Sequence, residues 1–150
     1  MMPIIQPGRA ITTRDTFSRE TSITIDIKAT AAGVWSLLTT AANYPKWNST
    51  VVSIEGRIEP GQKIKLRSVL DPKRVFRLTV KEFEPNKRLV WGDGQGNRVY
   101  SISDNNNGTI TFSMTEKIGG LMFPLYAKMI PPFDQAFEQF ARDLKTAVEK

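Results

Sequence analysis

TITFSMTEKI (109–118), GGLMFPLYAKMI (119–130) and PPFDQAFEQFARDLKTAVEK (131–150) form the stretch on which the fold turns, because the apolar period changes inside it. In the first block Ile110, Phe112 and Met114 recur at every second residue, the signature of a strand with one buried face. Beyond it, Leu125, Met129, Phe133, Phe137, Phe140, Leu144 and Val148 step by three or four, which is one stripe of a helix. Pro131-Pro132 interrupts the stripe. Since proline suits a first helical turn and no later one, the spacing predicts a short helix near Leu121–Ile130 and a long one from Pro132 to Glu149.

Upstream of the last strand the chain reads as strands separated by turn signals. Thr50–Ile58 ends at Glu59-Pro60-Gly61-Gln62, Lys63–Leu70 at Asp71-Pro72-Lys73, and Arg74–Glu84 at Pro85-Asn86. Leu89–Gly92 runs into Asp93-Gly94-Gln95-Gly96, and Asn97–Ser103 stops at Asp104-Asn105-Asn106-Asn107-Gly108, where asparagine and glycine tolerate positive φ. Before these, Glu20–Lys28 places Ile23, Ile25 and Ile27 on one face. Thr30 then caps a helix over Ala31–Thr40, and residues 43–48 make a short helical turn around Pro45. The expectation is an α+β domain over residues 20–150, with seven antiparallel strands, two short helices after the first and a long helix last. Residues 1–19, with no sustained period, are expected to form a tail or arm.

Composition narrows the chemistry. The 150 residues contain no histidine and no cysteine, which excludes disulfides, thiolate chemistry, histidine-based triads and Cys/His zinc sites. Asp93-Gly94-Gln95-Gly96-Asn97 offers one carboxylate among glycines, too few oxygens for a calcium loop. No metal and no cofactor is expected. No apolar run reaches a membrane span, so integral membrane association is not expected. MMPIIQPGRA carries too short an apolar stretch for a secretory signal, and a cytoplasmic location is the expectation. No signal sets an oligomeric state.

The formal charge is +6, from 21 basic and 15 acidic residues. Ten of the basic residues and five of the acids lie between Glu55 and Arg88, so this stretch carries five of the six units. There the charges alternate with apolar side chains, as in Lys63-Ile64-Lys65-Leu66-Arg67 and Phe76-Arg77-Leu78-Thr79-Val80-Lys81. That places them on the wet face of a sheet. Aromatics are not interleaved on that face and no groove-reading helix accompanies it, so a nucleic-acid partner is not expected. A basic outer face could instead meet an acidic protein through Lys63, Lys65, Arg67, Arg77 and Lys81.

A sheet with one apolar face must be covered, and the long terminal helix is the chief element available to cover it. Its stripe of phenylalanine and methionine spans a gap more readily than it fills one, leaving room for a ligand between helix and sheet. The order of elements resembles the START-like helix-grip superfamily, also called SRPBCC or Bet v 1-like. Local wording is similar too: Val34-Trp35 in the first helix, Tyr44-Pro45-Lys46-Trp47-Asn48 in the turn, Glu55-Gly56 with Pro60-Gly61-Gln62-Lys63-Ile64, and Arg88-Leu89-Val90-Trp91-Gly92. Within the superfamily the resemblance is to the polyketide cyclase/dehydrase-like group. It implies a hydrophobic pocket for a lipid, polyketide or aromatic molecule, in members of which only some are enzymes.

Period two sets which side chains face inward. Ser68 joins Ile64 and Leu66, Arg98 joins Tyr100 and Ile102, and Glu116 joins Ile110, Phe112 and Met114. Trp35 reads as packing and Trp91 as cavity wall. The expected lining is Leu66, Ser68, Phe76, Leu78, Trp91, Tyr100, Phe112, Met114, Met129, Phe133 and Phe137, with Trp47 near the entrance and Arg98 as polar anchor. The expected function is binding or transport of a small hydrophobic molecule, the one partner expected. Two alternatives stand beside it: a cyclase or dehydratase using Arg98, Tyr100 and Glu116, with oxygen polarised while the carboxylate takes a proton, and the protein-interaction module on the basic face.

Overall fold

A computed structural model describes residues 8–149. Eight strands form one antiparallel sheet: β1 (Ile11–Arg14), β2 (Ser18–Ile27), β3 (Val51–Glu55), β4 (Lys63–Ser68), β5 (Asp71–Glu84), β6 (Arg88–Gly92), β7 (Gly96–Asp104) and β8 (Ile110–Gly119). Their order across the sheet is β1-β2-β8-β7-β6-β5-β4-β3. Strands β3 to β8 are a meander, and β2 closes onto β8 in full register from Ser18↔Gly119 to Ile27↔Ile110. The helices are α1 (Ala31–Thr39), α2 (Tyr44–Trp47), α3 (Phe123–Tyr126) and α4 (Asp134–Val148), with short 3-10 turns at Ala41–Asn43 and Ala127–Met129.

The sheet has one strand more than the seven expected. Strand β1 lies within the stretch read as a tail, pairing Ile11↔Ser22 through Arg14↔Arg19, and β2 begins at Ser18. Residues 1–7 of that stretch lie outside the described residues. Thr30 does cap α1, its hydroxyl accepting from Gly33 N at 3.0 Å. The β4–β5 turn is shifted from Asp71-Pro72-Lys73 to Val69-Leu70, because Ser68 Oγ accepts from Leu70 N at 3.1 Å and closes the turn early. Pro72 then sits inside β5 without loss, since β6 pairs only with Thr79–Glu84 and the first half of β5 has no neighbour on that side.

Register shifts at Val51/Ser53, Leu66/Ser68 and Val80/Glu82 bend the sheet around α4. One face of α4 closes the core with Phe137, Phe140, Ala141 and Leu144 against Ile23, Ile27, Phe112 and Met114 of the sheet. Lys63, Lys65 and Arg67 are exposed while Ile64 and Leu66 between them are buried, the alternation expected of a sheet with a wet outer face. Upstream of α4 the expected helix contracts to α3 and one 3-10 turn. Gly120, at φ +141°, makes the sharp entry, and Pro131-Pro132 ends the segment. The stripe therefore loses phase, and Leu125 and Met129 face solvent.

Candidate functional site

Between the concave sheet and α4 lies a cavity of about 180 Å³. Its floor comes from β4, β5, β6, β7 and β8, and its roof from α4 and the preceding residues Met129, Ile130, Pro131 and Phe133. Leu66, Ser68, Phe76, Leu78, Trp91, Arg98, Met114, Met129, Phe133 and Phe137 all line it. These are ten of the thirteen expected ligand-binding residues, and Glu116 lines it as well.

Three expected lining residues stand elsewhere. Tyr100 and Phe112 face inward but are spent on packing. Tyr100 meets Trp91 edge-on with ring centres 5.0 Å apart and also touches Phe140, while Phe112 stacks on Phe140 at 6.3 Å. Both lie one layer behind the cavity wall. Trp47 is not at an entrance: α2 tucks it against Tyr44 at 5.0 Å and Phe140 at 5.6 Å. Its buried Nε1 has no hydrogen-bond partner among the described residues. Trp35 packs edge-on against Phe83 at 5.1 Å.

The polar centre of the cavity is an ion pair. The β7–β8 register sets Arg98 opposite Glu116, and Arg98 Nε donates to Glu116 Oε1 at 2.6 Å. Both side chains are largely buried, at 19% and 18% exposure. The Arg98 guanidinium carbon also lies 5.0 Å from the centre of the Phe137 ring, so α4 and the sheet fix it from two sides. Burial works against its charge, but Glu116 and the Tyr100 hydroxyl outweigh that and hold it protonated. Burial pushes the Tyr100 phenol up to about 12, with Arg98 opposing the shift. A neutral phenol and a fixed guanidinium are hydrogen-bond donors at ordinary pH. Of the three residues considered for catalysis, Arg98 and Glu116 share the cavity and touch each other, while Tyr100 does not line it.

Arg19 was missed by the sequence reading. It is buried on β2, donates to Ile130 O at 3.1 Å and Pro131 O at 2.8 Å, and lies 4.8 Å from the Phe133 ring centre. Burial lowers its pKa, Arg14 adding to the effect. Two carbonyls and an aromatic face supply what this buried cation needs, and it thereby pins the cavity roof to the sheet. The signal was present, since Arg19 and Thr21 extend the inward alternation of Ile23 backward. Asp93 is engaged in turn chemistry, its Oδ1 accepting from Gln95 N at 2.8 Å and Gly96 N at 3.0 Å. Among the described residues no group of three or more acidic side chains could hold a metal, and no helix is long and apolar enough to cross a membrane.

An antiparallel sheet curved around a C-terminal helix, with a cavity between them that holds the largely buried Arg98–Glu116 pair, defines a helix-grip domain. Residues 18–149 match the family described as polyketide cyclase / dehydrase and lipid transport, and the chain belongs to that family. Among solved structures it is similar to a START superfamily protein from Mycobacterium smegmatis, at 17% identity and TM-score 0.63, over 87% of this chain and 97% of that one. A hypothetical protein from Helicobacter pylori matches at 14% identity and TM-score 0.69, over 99% and 98%. The di-domain ARO/CYC protein of the steffimycin biosynthetic pathway matches at 15% identity and TM-score 0.61, over 85% of this chain and 44% of that one. At these identities the likeness carries the fold. No curated protein matches the sequence.

Proposed function

We propose that this domain binds and carries a small, largely apolar, ring-containing molecule that presents one oxygen to Arg98. The observation that carries the reading is a fixed, protonated guanidinium facing an apolar wall of Leu66, Phe76, Leu78, Trp91, Met114 and Phe137, in a cavity whose other polar lining includes Asp71, Arg74 and Asp93. Arg98 Nε is committed to Glu116, leaving terminal N–H groups for Tyr100 and for a ligand oxygen. Size limits the ligand. An apolar cavity of about 150 Å³ accommodates benzene, so 180 Å³ suits one or two fused rings. A longer chain needs the 120–133 segment to move.

A cyclase-type reaction is the second reading, favoured by Arg98 and Glu116 both lining the cavity. In it Arg98 polarises a ligand carbonyl while Glu116 Oε2, the oxygen not bonded to Arg98 Nε, takes a proton from the neighbouring carbon. Binding ranks first because Tyr100, the third group such a site would use, lies behind the wall.

Titration of naphthalene, 2-naphthol and 2-naphthoate, read by quenching of tryptophan fluorescence, tests the assignment. Comparing Glu116→Gln with the double variant Arg98→Met/Glu116→Gln isolates Arg98 without stranding a buried carboxylate. The double variant is expected to bind the two oxygenated probes about 10- to 100-fold more weakly, the worth of a charge-assisted hydrogen bond, with naphthalene unchanged. Equal losses for all three probes, or no binding of any by the wild type, would refute the anchor. Turnover of a carbonyl substrate that Glu116→Gln abolishes without loss of binding would establish the second reading.

A further inference from the structure

The mouth of the cavity carries apolar side chains that fold packing does not use. On one lip, Leu121, Leu125 and Met129 stand four residues apart in the 120–133 segment and are 85%, 75% and 83% exposed. On the other, Val69 and Leu70 form the exposed tip of the β4–β5 hairpin, and Val75 follows them on β5. The two lips face one opening, because Leu70 and Arg74 line the cavity from one side and Met129, Ile130 and Pro131 from the other. An apolar rim of this kind on both sides of a cavity marks a surface that meets something.

Charge indicates what it meets. Along the two lips, from Ser68 to Val75 and from Gly119 to Phe133, there are three cations, Lys73, Arg74 and Lys128, against one acid, Asp71. Neither Lys73 nor Lys128 has an ion-pair partner among the described residues. Arg74 lies flat on Phe76, 4.6 Å from its ring centre, at the edge of the mouth. Apolar side chains ringed by unpaired cations match a layer that is anionic outside and apolar beneath. The apolar groups ride on two separate protruding segments with the cavity opening between them. A protein partner seated across both would seal that opening, whereas a bilayer leaves it facing the medium in which an apolar ligand dissolves.

We propose that the rim of the cavity mouth docks peripherally on an anionic lipid bilayer. Leu121, Leu125, Met129 and the Val69–Leu70 tip enter the headgroup boundary, and Lys73, Arg74 and Lys128 face the lipid phosphates. Arg19, pinned to the carbonyls of Ile130 and Pro131, and the bond from Gly120 N to Phe17 O at 3.0 Å hold the inserted segment at both ends. The inference rests on the carrier reading only for the use it gives the docked state, and docking itself is measured without a ligand.

Co-sedimentation with phosphatidylcholine vesicles, with and without about a third phosphatidylserine, tests it. The wild type is expected to pellet with the anionic vesicles, less with the neutral ones, and less at high salt. Lys73→Glu/Lys128→Glu is expected to weaken binding roughly 25-fold or more, about fivefold for each cation lost. Leu121→Ser/Leu125→Ser removes inserted surface and is expected to weaken it about tenfold or more. None of these four side chains lines the cavity, so both variants should melt like the wild type and bind 2-naphthoate as it does. Wild type that pellets no better with anionic vesicles than alone would overturn the proposal, as would double variants that pellet undiminished. A wild-type dimer split by Leu121→Ser/Leu125→Ser, without vesicle binding, would assign the rim to a second copy of the chain. Normal vesicle binding with no probe binding would leave docking standing and refute the carrier.

Discussion

Filling the cavity from the helix side offers a sharp test of its reality. Ala136 lines the cavity from α4, one residue before Phe137, and Ala136→Leu adds three carbons there with little change in helix propensity. At about 24 cal/mol per Å³, an unfilled apolar volume of 180 Å³ costs up to roughly 4 kcal/mol, a ceiling because the cavity is open on one side. Three buried carbons at about 0.8 kcal/mol each recover roughly 2 kcal/mol of it. For a chain of this length that corresponds to a rise in Tm of about 4–8 °C. The assay is thermal unfolding of the ligand-free protein beside naphthoate titration. The variant is expected to be more stable and to bind at least tenfold more weakly (about 1.4 kcal/mol). A destabilised variant would mean that no space exists beside Ala136, and a stabilised one with undiminished binding would place the ligand elsewhere.

Two further outcomes follow from the geometry. Glu55, Lys65 and Arg77 lie directly opposite one another across β3, β4 and β5, with the two cations adjacent and all three exposed. Arg77→Glu makes the row alternate in sign and is expected to stabilise the protein by roughly 0.5 kcal/mol at low salt, an effect that disappears at high salt. Urea unfolding at both ionic strengths measures it, and a loss of stability at low salt would contradict the register. Tyr100 is the second case. Its folded pKa of about 12 exceeds the ordinary value of 10, so the unfolded chain gives up the proton first. Its contribution is intact below about pH 10 and falls away as pH rises towards 12, by roughly 2–3 kcal/mol in all. Tyr100→Phe should flatten that part of the alkaline stability profile, and an unchanged slope would contradict burial as the cause.

How much of this was legible in the sequence depends on which property is asked for. Period two placed Leu66, Arg98 and Glu116 on the inward face, and the antiparallel register then brought the last two together. Period carries no depth, however. Arg98 and Tyr100 share a face two residues apart, yet one reaches the cavity and the other is consumed by Trp91 and Phe140. Proline as a turn signal misled at Asp71-Pro72, because a proline costs a strand nothing where it has no neighbour to bond. The helical stripe overran its helix, since Pro131-Pro132 reset the phase and left Leu125 and Met129 in solvent. The inward period of β2 reaches Arg19 through Thr21 and Ile23, but the reason for burying a cation there was not readable. A buried cation is justified only by its partners, and these carbonyls lie 111 and 112 residues away along the chain.

The central claim is that the space between the sheet and α4 holds a small apolar molecule. Native mass spectrometry of freshly purified protein tests it most directly, with Ala136→Leu run in parallel. The account predicts an extra mass of one- or two-ring size on the wild type, released by collision or by competing naphthoate and missing from the filled variant. Wild type that flies bare and takes up no probe, or an adduct retained equally by Ala136→Leu, would contradict it.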